Sequence, residues 1–173
     1  MPIRFVTKVS DADADDMWGG IEHPMGTEFQ DLEWRQKDLH FLFDDDATGR
    51  ALAHVSLLRQ EVDVGNGRET IPVGGIGGVF TAPAARGHGH AAVLIDHALD
   101  YAREKLACRF GMLLCNSSVR PYYGKLGWQI VADPVTILRG GQSIRCPTNV
   151  MVKPLVAGAI WPAGEVDLRS RPW

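Results

Sequence analysis

Arg86-Gly87-His88-Gly89-His90-Ala91 joins an extended run rich in glycine and valine to an apolar helical pattern. The first N–H groups of a helix have no internal acceptor, and the helix dipole favours negative charge at that end. Glycines at Gly87 and Gly89 allow a tight backbone approach, so several of these donors can converge on one anion. An arginine-glycine loop that opens directly into a helix therefore reads as a phosphate site. By itself, Gly-x-Gly before a helix equally fits a strand-to-helix turn with a surface arginine, so the flanks decide.

Downstream, Ala91, Val93, Leu94, Ala98, Leu99, Ala102 and Leu106 recur at helical spacing, which predicts a helix over 89–108. Upstream, Glu69 to Thr81 reads as a strand whose glycines, Gly74, Gly75, Gly77 and Gly78, mark a bulge or a place where a ligand approaches the backbone. Gly65-Asn66-Gly67 turns this strand back on a long one around Ala51 to Val64. Earlier still, Ile3 to Val6 and His40 to Phe43 are short strands, and the carboxylates from Asp11 to Asp16 suit a first helix broken by Gly19-Gly20. Asp44-Asp45-Asp46 reads as a solvated hairpin tip. Pro24 and Gly26 belong to a loop, after which Thr27 can cap a second helical segment carrying Glu28, Phe29, Leu32 and Trp34. Beyond the long helix, Phe110 to Cys115 is a buried strand and Asn116-Ser117-Ser118 a turn into a short helix that Pro121 begins. Trp128 to Val131 pairs with Asn149 to Lys153, and the stretch from Pro134 to Pro147 reads as irregular and loop-rich.

The chain of 173 residues is sized for a single domain, 1–173, with a substantial core. A net charge of −3 argues against nucleic-acid binding and suits a cationic substrate. Cys108, Cys115 and Cys146 lack metal-site spacing and read as free thiols of a reducing compartment. With no secretory leader and no apolar run of membrane-spanning length, a cytoplasmic protein is expected. His88 and His90 have no carboxylate or cysteine partners for a zinc site, so they read as phosphate contacts or exposed residues. His54, on an apolar strand, reads as a hydrogen-bonded core histidine, and no metal is expected.

Three elements in order carry a family resemblance. Arg86 to Ala91 fits Arg/Gln-x-x-Gly-x-Gly/Ala, Val79-Phe80-Thr81-Ala82-Pro83 resembles the end of a fourth strand, and Tyr122-Tyr123-Gly124-Lys125-Leu126-Gly127-Trp128 resembles a Tyr-x-Lys-x-Gly-Phe/Trp element. Together they resemble the GNAT superfamily of acyl-CoA N-acyltransferases. That resemblance implies an α/β GNAT fold: a central mixed β-sheet, splayed at an acetyl-CoA cleft, with helices on both faces. It implies acetyl-CoA as cofactor and direct transfer in a ternary complex. Arg86, Gly87, His88, Gly89, His90 and Ala91 would then hold the pyrophosphate, with Val79, Phe80, Thr81, Asn116 and Tyr123 along the rest of the coenzyme. Main-chain N–H groups of Val79 and Phe80 would bind the thioester oxygen, and Tyr123 would protonate the leaving sulfur.

A narrower resemblance, to the aminoglycoside 2′-N-acetyltransferases, rests on Glu28-Phe29 with Trp34, on Ala53-His54, and on the terminal Trp173. It implies an aminoglycoside acceptor held by Glu28, Phe29 and Trp173, a role in antibiotic resistance, and a homodimer. The chain departs from this pattern at Gly77, aligned with a glutamate base, and between Ser143 and Asn149, where an acidic cluster is missing. Those departures point to an acceptor with fewer amines, such as kasugamycin. Two alternatives stay open: acetylation of another small amine or a peptide N-terminus, and a catalytically weak acyl-CoA-binding regulator.

Overall fold

The structure is a computed structural model and describes residues 3–22 and 27–173; the expected loop residues Pro24 and Gly26 lie outside the described residues. In chain order the strands are β1 (Ile3–Val6), β2 (Leu39–Asp44), β3 (Ala51–Val64), β4 (Glu69–Thr81), β5 (Phe110–Cys115), β6 (Gln129–Ile130), β7 (Val135–Arg139), β8 (Gln142–Arg145), β9 (Asn149–Pro154) and β10 (Val166–Asp167). The helices are α1 (Asp11–Trp18), α2 (His90–Leu106) and α3 (Arg120–Lys125). All strands join one mixed sheet, ordered β6-β9-β5-β4-β3-β10-β7-β8, with β2 also on β3 and β1 on β2.

The sheet opens at its centre. β4 and β5 run parallel but pair only from Val73 to Ile76 against Phe110 to Leu113, although β4 continues to Thr81 and β5 to Cys115. Beyond Ile76 the two strands separate, as expected for a splayed GNAT sheet. A bulge on β4 accompanies the separation: His54 pairs with Phe80 and Ser56 with Gly77, so Gly78 and Val79 stand opposite Val55 alone. Gly78 has φ +55°, a conformation open to glycine and costly to most other residues.

Helices cover both faces. Leu94, Ile95, Ala98, Leu99 and Ala102 of α2 are buried against Phe41, Val55, Leu57 and Ile76. On the opposite face Met17 of α1 packs with Leu42, Ala51 and Phe80. α1 starts in a capping box, with the Asp13 N–H donating to Ser10 Oγ and the Ser10 N–H to the Asp13 carboxylate. Arg4 ties that helix to β2 by donating to both Asp13 and Asp44.

The glycine-rich β4 finds a partly different explanation from the expected one. A Cβ on Gly74 would lie 2.7 Å from Ala102 Cβ, and one on Gly75 would lie 2.5 Å from Trp173 Nε1. These glycines make room for the protein's own helix and tail, whereas Gly78 forms the bulge. Trp173 is among the fully buried side chains, so the C-terminal segment docks on the domain as its apolar character implies. Gly75→Ala should therefore destabilise the fold by about 1–3 kcal/mol through overpacking. In a Trp173→Ala background, itself costing about 3–5 kcal/mol, most of that penalty should vanish, which a double-mutant cycle in urea would read. Equal penalties in both backgrounds would separate the two residues.

Two expectations are corrected. The stretch from Pro134 to Pro147 is a hairpin, with Thr136 opposite Arg145, Leu138 opposite Ser143, and a turn at Gly140-Gly141. The segment after Thr27 is a turn followed by extended chain, with Phe29 at φ +60°. Its main chain is bonded elsewhere: the Arg35 N–H donates to the Pro172 carbonyl over 2.6 Å, and Arg35 Nη1 to Gln60. A tertiary partner has replaced the i−4 carbonyl that a helix would supply.

Candidate active site

A cleft of about 630 Å³ lies where the sheet opens, lined by Val79, Phe80, Thr81, Ala85, Arg86, Gly87, Gly89, His90, Ala91, Val119, Tyr122 and Tyr123. It brings the end of β4, the N-terminus of α2 and helix α3 around one space. Gly89 is the N-cap of α2 at φ +80°, and no side chain caps the helix. Gly87 has φ +81°, and open space surrounds the Cβ position of both glycines. An uncapped helix start beside two unobstructed glycines and the cationic Arg86 fits a diphosphate. Arg86 is steadied at the rim, its Nε donating to the Thr81 carbonyl over 3.2 Å.

Tyr123 faces this cleft and is 8% exposed, whereas Tyr122 is 40% exposed. Burial, reinforced by Cys115 and Tyr122, pushes the Tyr123 phenol above its ordinary value, so it keeps its proton throughout the physiological range. α3 holds it there: Pro121 stands in the first turn, and the Tyr123 carbonyl accepts the Leu126 and Trp128 N–H groups.

Some of the residues singled out in the sequence stand apart from the cleft lining. His88 turns back on its own loop, its Nδ1 donating to the carbonyls of Ala85 and Arg86, whereas its neighbour His90 stays in the lining, its ring packed at a tilt on Phe43 with centroids 4.2 Å apart. Asn116 caps the turn before α3 by accepting from the Val119 N–H and the Ser118 hydroxyl. Glu28 is exposed and Phe29 half-buried on the turn after Thr27. The Trp173 indole is in the core, but its main-chain carbon lies 3.2 Å from the Cβ position of Gly77.

The face of the sheet opposite α2 carries groups whose roles are not legible in the sequence. The space beside Gly77 is filled by Lys37, whose Cε lies 2.8 Å and Nζ 3.5 Å from the Cβ position. Desolvation lowers the Lys37 pKa from its ordinary value. Nearby, Ser56 Oγ donates to the Gly77 carbonyl over 2.7 Å, and His54 Nδ1 lies 2.6 Å from the Gly78 carbonyl. His54 is the hydrogen-bonded histidine that its apolar strand implies, and its partner across the sheet is His40, with 2.9 Å between His40 Nδ1 and His54 Nε2. The diagonal β2–β3 register, with His40 opposite Ser56 and His54 opposite Leu42, places the two rings on one face.

Among the described residues no helix is long and apolar enough to cross a membrane. No curated protein matches the chain in sequence. Solved structures share its fold. One described as a candidate N-acetyltransferase from Lactobacillus plantarum is 18% identical, with a TM-score of 0.61 over 90% of this chain and 98% of its own. A GNAT family N-acetyltransferase from Escherichia coli, in complex with CoA, is 20% identical, with a TM-score of 0.52 over 75% of this chain and 66% of its own. N-acetylglutamate synthase from Neisseria gonorrhoeae, with coenzyme A and N-acetyl-glutamate, is 13% identical, with a TM-score of 0.57 over 90% of this chain and 36% of its own. A family model described as an acetyltransferase (GNAT) domain matches residues 17–131, which include the β4 bulge, the glycine loop and α3. With most of its length matched, the chain belongs to the GNAT acetyltransferase domain family, whose members use acetyl-CoA.

Proposed function

We propose that this chain transfers an acetyl group directly to a primary amine of a small molecule, and that the acceptor is the 2′-amine of an aminoglycoside-type compound. The observation that carries the transfer reading is one cleft lined by the β4 bulge, an uncapped helix start and a buried, protonated tyrosine. Bound acetyl-CoA supplies a thioester carbonyl for the amine to attack and a thiolate to leave. Arg86, Gly87, Gly89, His90 and Ala91 hold the pyrophosphate, by charge at Arg86 and by main-chain donors at the helix start. Val79 and Phe80 offer main-chain donors to the oxygen on which charge grows, and Thr81 flanks the pantetheine arm. Tyr123 holds the proton that the departing sulfur requires.

The acceptor assignment draws on the resemblance and on charge. Glu28 is exposed at the turn ahead of Trp34 and can face a cationic sugar. Lys37, in the niche beside Gly77, reduces the negative charge there and so favours an acceptor with few amines, kasugamycin among them. Coenzyme release across a panel of kasugamycin, 2′-amino aminoglycosides, simple amines and a peptide with a free N-terminus tests both layers. The expected result is fastest release with an aminoglycoside, and a raised acceptor KM in Glu28→Gln. Release with none of these amines would overturn acetyl transfer; release with simple amines or the peptide alone would overturn only the aminoglycoside assignment.

A further inference from the structure

An amine becomes an amide only by losing a proton, and position 77, where a carboxylate base is expected, is a glycine whose side-chain space holds a lysine. The same face carries a pair of imidazoles with a forced arrangement of protons. The Gly78 carbonyl can only accept, so His54 Nδ1, 2.6 Å away, must donate to it. A neutral His54 then has a bare Nε2, and the 2.9 Å contact requires His40 Nδ1 to be the donor. His40 in turn keeps an unprotonated Nε2. The inner ring is 4% exposed and the outer ring half-buried, so His40 is the member of the pair that solvent or a substrate can reach.

Resting on the acetyl-transfer reading, we propose that His40 is the general base that takes the proton given up by the acceptor amine, with His54 as the positioning residue that fixes its tautomer. The step balances. The proton leaves the amine nitrogen for His40 Nε2, directly or through one water, as the new N–C bond forms. The C–S bond breaks, and the sulfur takes the Tyr123 proton. A proton on His40 Nε2 leaves the existing bonds in place: His40 Nδ1–H still donates to His54, and His54 Nδ1–H to Gly78. The geometry thereby couples the base to the bulge that carries Val79 and Phe80.

The surroundings set the pH range. From the segment before β2 the facing charges are Lys37, which opposes protonation of both rings, and Asp38, which favours it at His40. From α1 the neighbour of His54 is the uncharged Trp18 ring, and from β4 it is the Gly78 carbonyl. Burial is the largest influence on each ring; it lowers His40 and takes His54 down to about 4. The pair is therefore neutral, and ready to accept, at neutral pH. Because both rings titrate below the ordinary histidine value of 6.5, the base survives at that pH and is lost only as pH falls further.

The test combines kinetics with imidazole nitrogen NMR on the whole chain. His40→Gln is expected to lower kcat about 10²- to 10⁴-fold and remove the acidic limb of the kcat profile, with acetyl-CoA affinity by calorimetry unchanged. His54→Gln can still donate to Gly78 and accept from His40, so it should retain more activity than His40→Gln while moving the acidic limb. A merely structural histidine would leave that limb in place. Parental kcat and an unmoved limb in both variants would overturn the proposal. The NMR spectrum of the parent, which needs no folded variant and no acceptor, should show His54 protonated at Nδ1 and His40 at Nδ1. An Nε2–H tautomer on His54 would overturn the proposal even if the amine panel fails to reveal any transfer.

Discussion

Tyr123→Phe should lower kcat about 10²- to 10⁴-fold, the range of a lost general acid, while acetyl-CoA binds as before. The ring is buried between α3 and the core, so removing its hydroxyl leaves the packing intact. Its phenol sits above the ordinary value because burial disfavours the phenolate. A group raised in this way stays protonated as pH climbs to 10, so it adds no basic limb to turnover below that pH. Tyr122, exposed and adjacent, is the internal control: Tyr122→Phe should change kcat little. A single-turnover rate unchanged in Tyr123→Phe would mean that the sulfur takes its proton from elsewhere.

Gly89→Glu should weaken acetyl-CoA binding about 100-fold or more, a loss of roughly 3 kcal/mol. Nothing lies within 4 Å of a Cβ at this position, so the new side chain finds room in the folded protein. What it brings is a carboxylate at the end of α2 where the dipole and free N–H groups await an anion. The left-handed conformation adds a strain of about 1–2 kcal/mol for any non-glycine residue. Gly89→Ala shares the strain and lacks the charge, so calorimetry on the two variants separates them. Equal affinities would show that the loop does not face the diphosphate.

The cleft between β4, α2 and α3 was legible because its signals are local. Gly87, Gly89 and the spacing from Ala91 to Leu106 sit in one continuous stretch, and each follows from rules that act over a few residues. The opposite face of the sheet was not. The turn after Thr27 takes its shape from the Arg35 bond to Pro172, a partner at the far end of the chain. Lys37 becomes significant only once β4 lies beneath it, and His40 meets His54 only in one register of β2 on β3. The β7–β8 hairpin was missed although a signal was present: Val135 and Ile137 alternate on the buried face, and Gly140-Gly141 forms its turn. The two prolines bracketing that stretch mark where the hairpin ends.

The Arg35–Pro172 bond also bears on the order in which the two halves are assembled. β4, α2, β5 and α3 are consecutive, so the cleft between them can form from contacts of short sequence separation, which close quickly. The opposite face needs the segment from Phe29 to Lys37 and the tail ending in Trp173 to meet across almost the whole chain, a slower search with a larger loop-closure entropy. Local opening draws on the same asymmetry, since the Arg35–Pro172 bond can break at the edge of the fold without unpairing β4 from β5. On the acetyl-transfer reading, a nick ahead of the tail is therefore expected to disturb the face beside Gly77 before it disturbs the glycine loop.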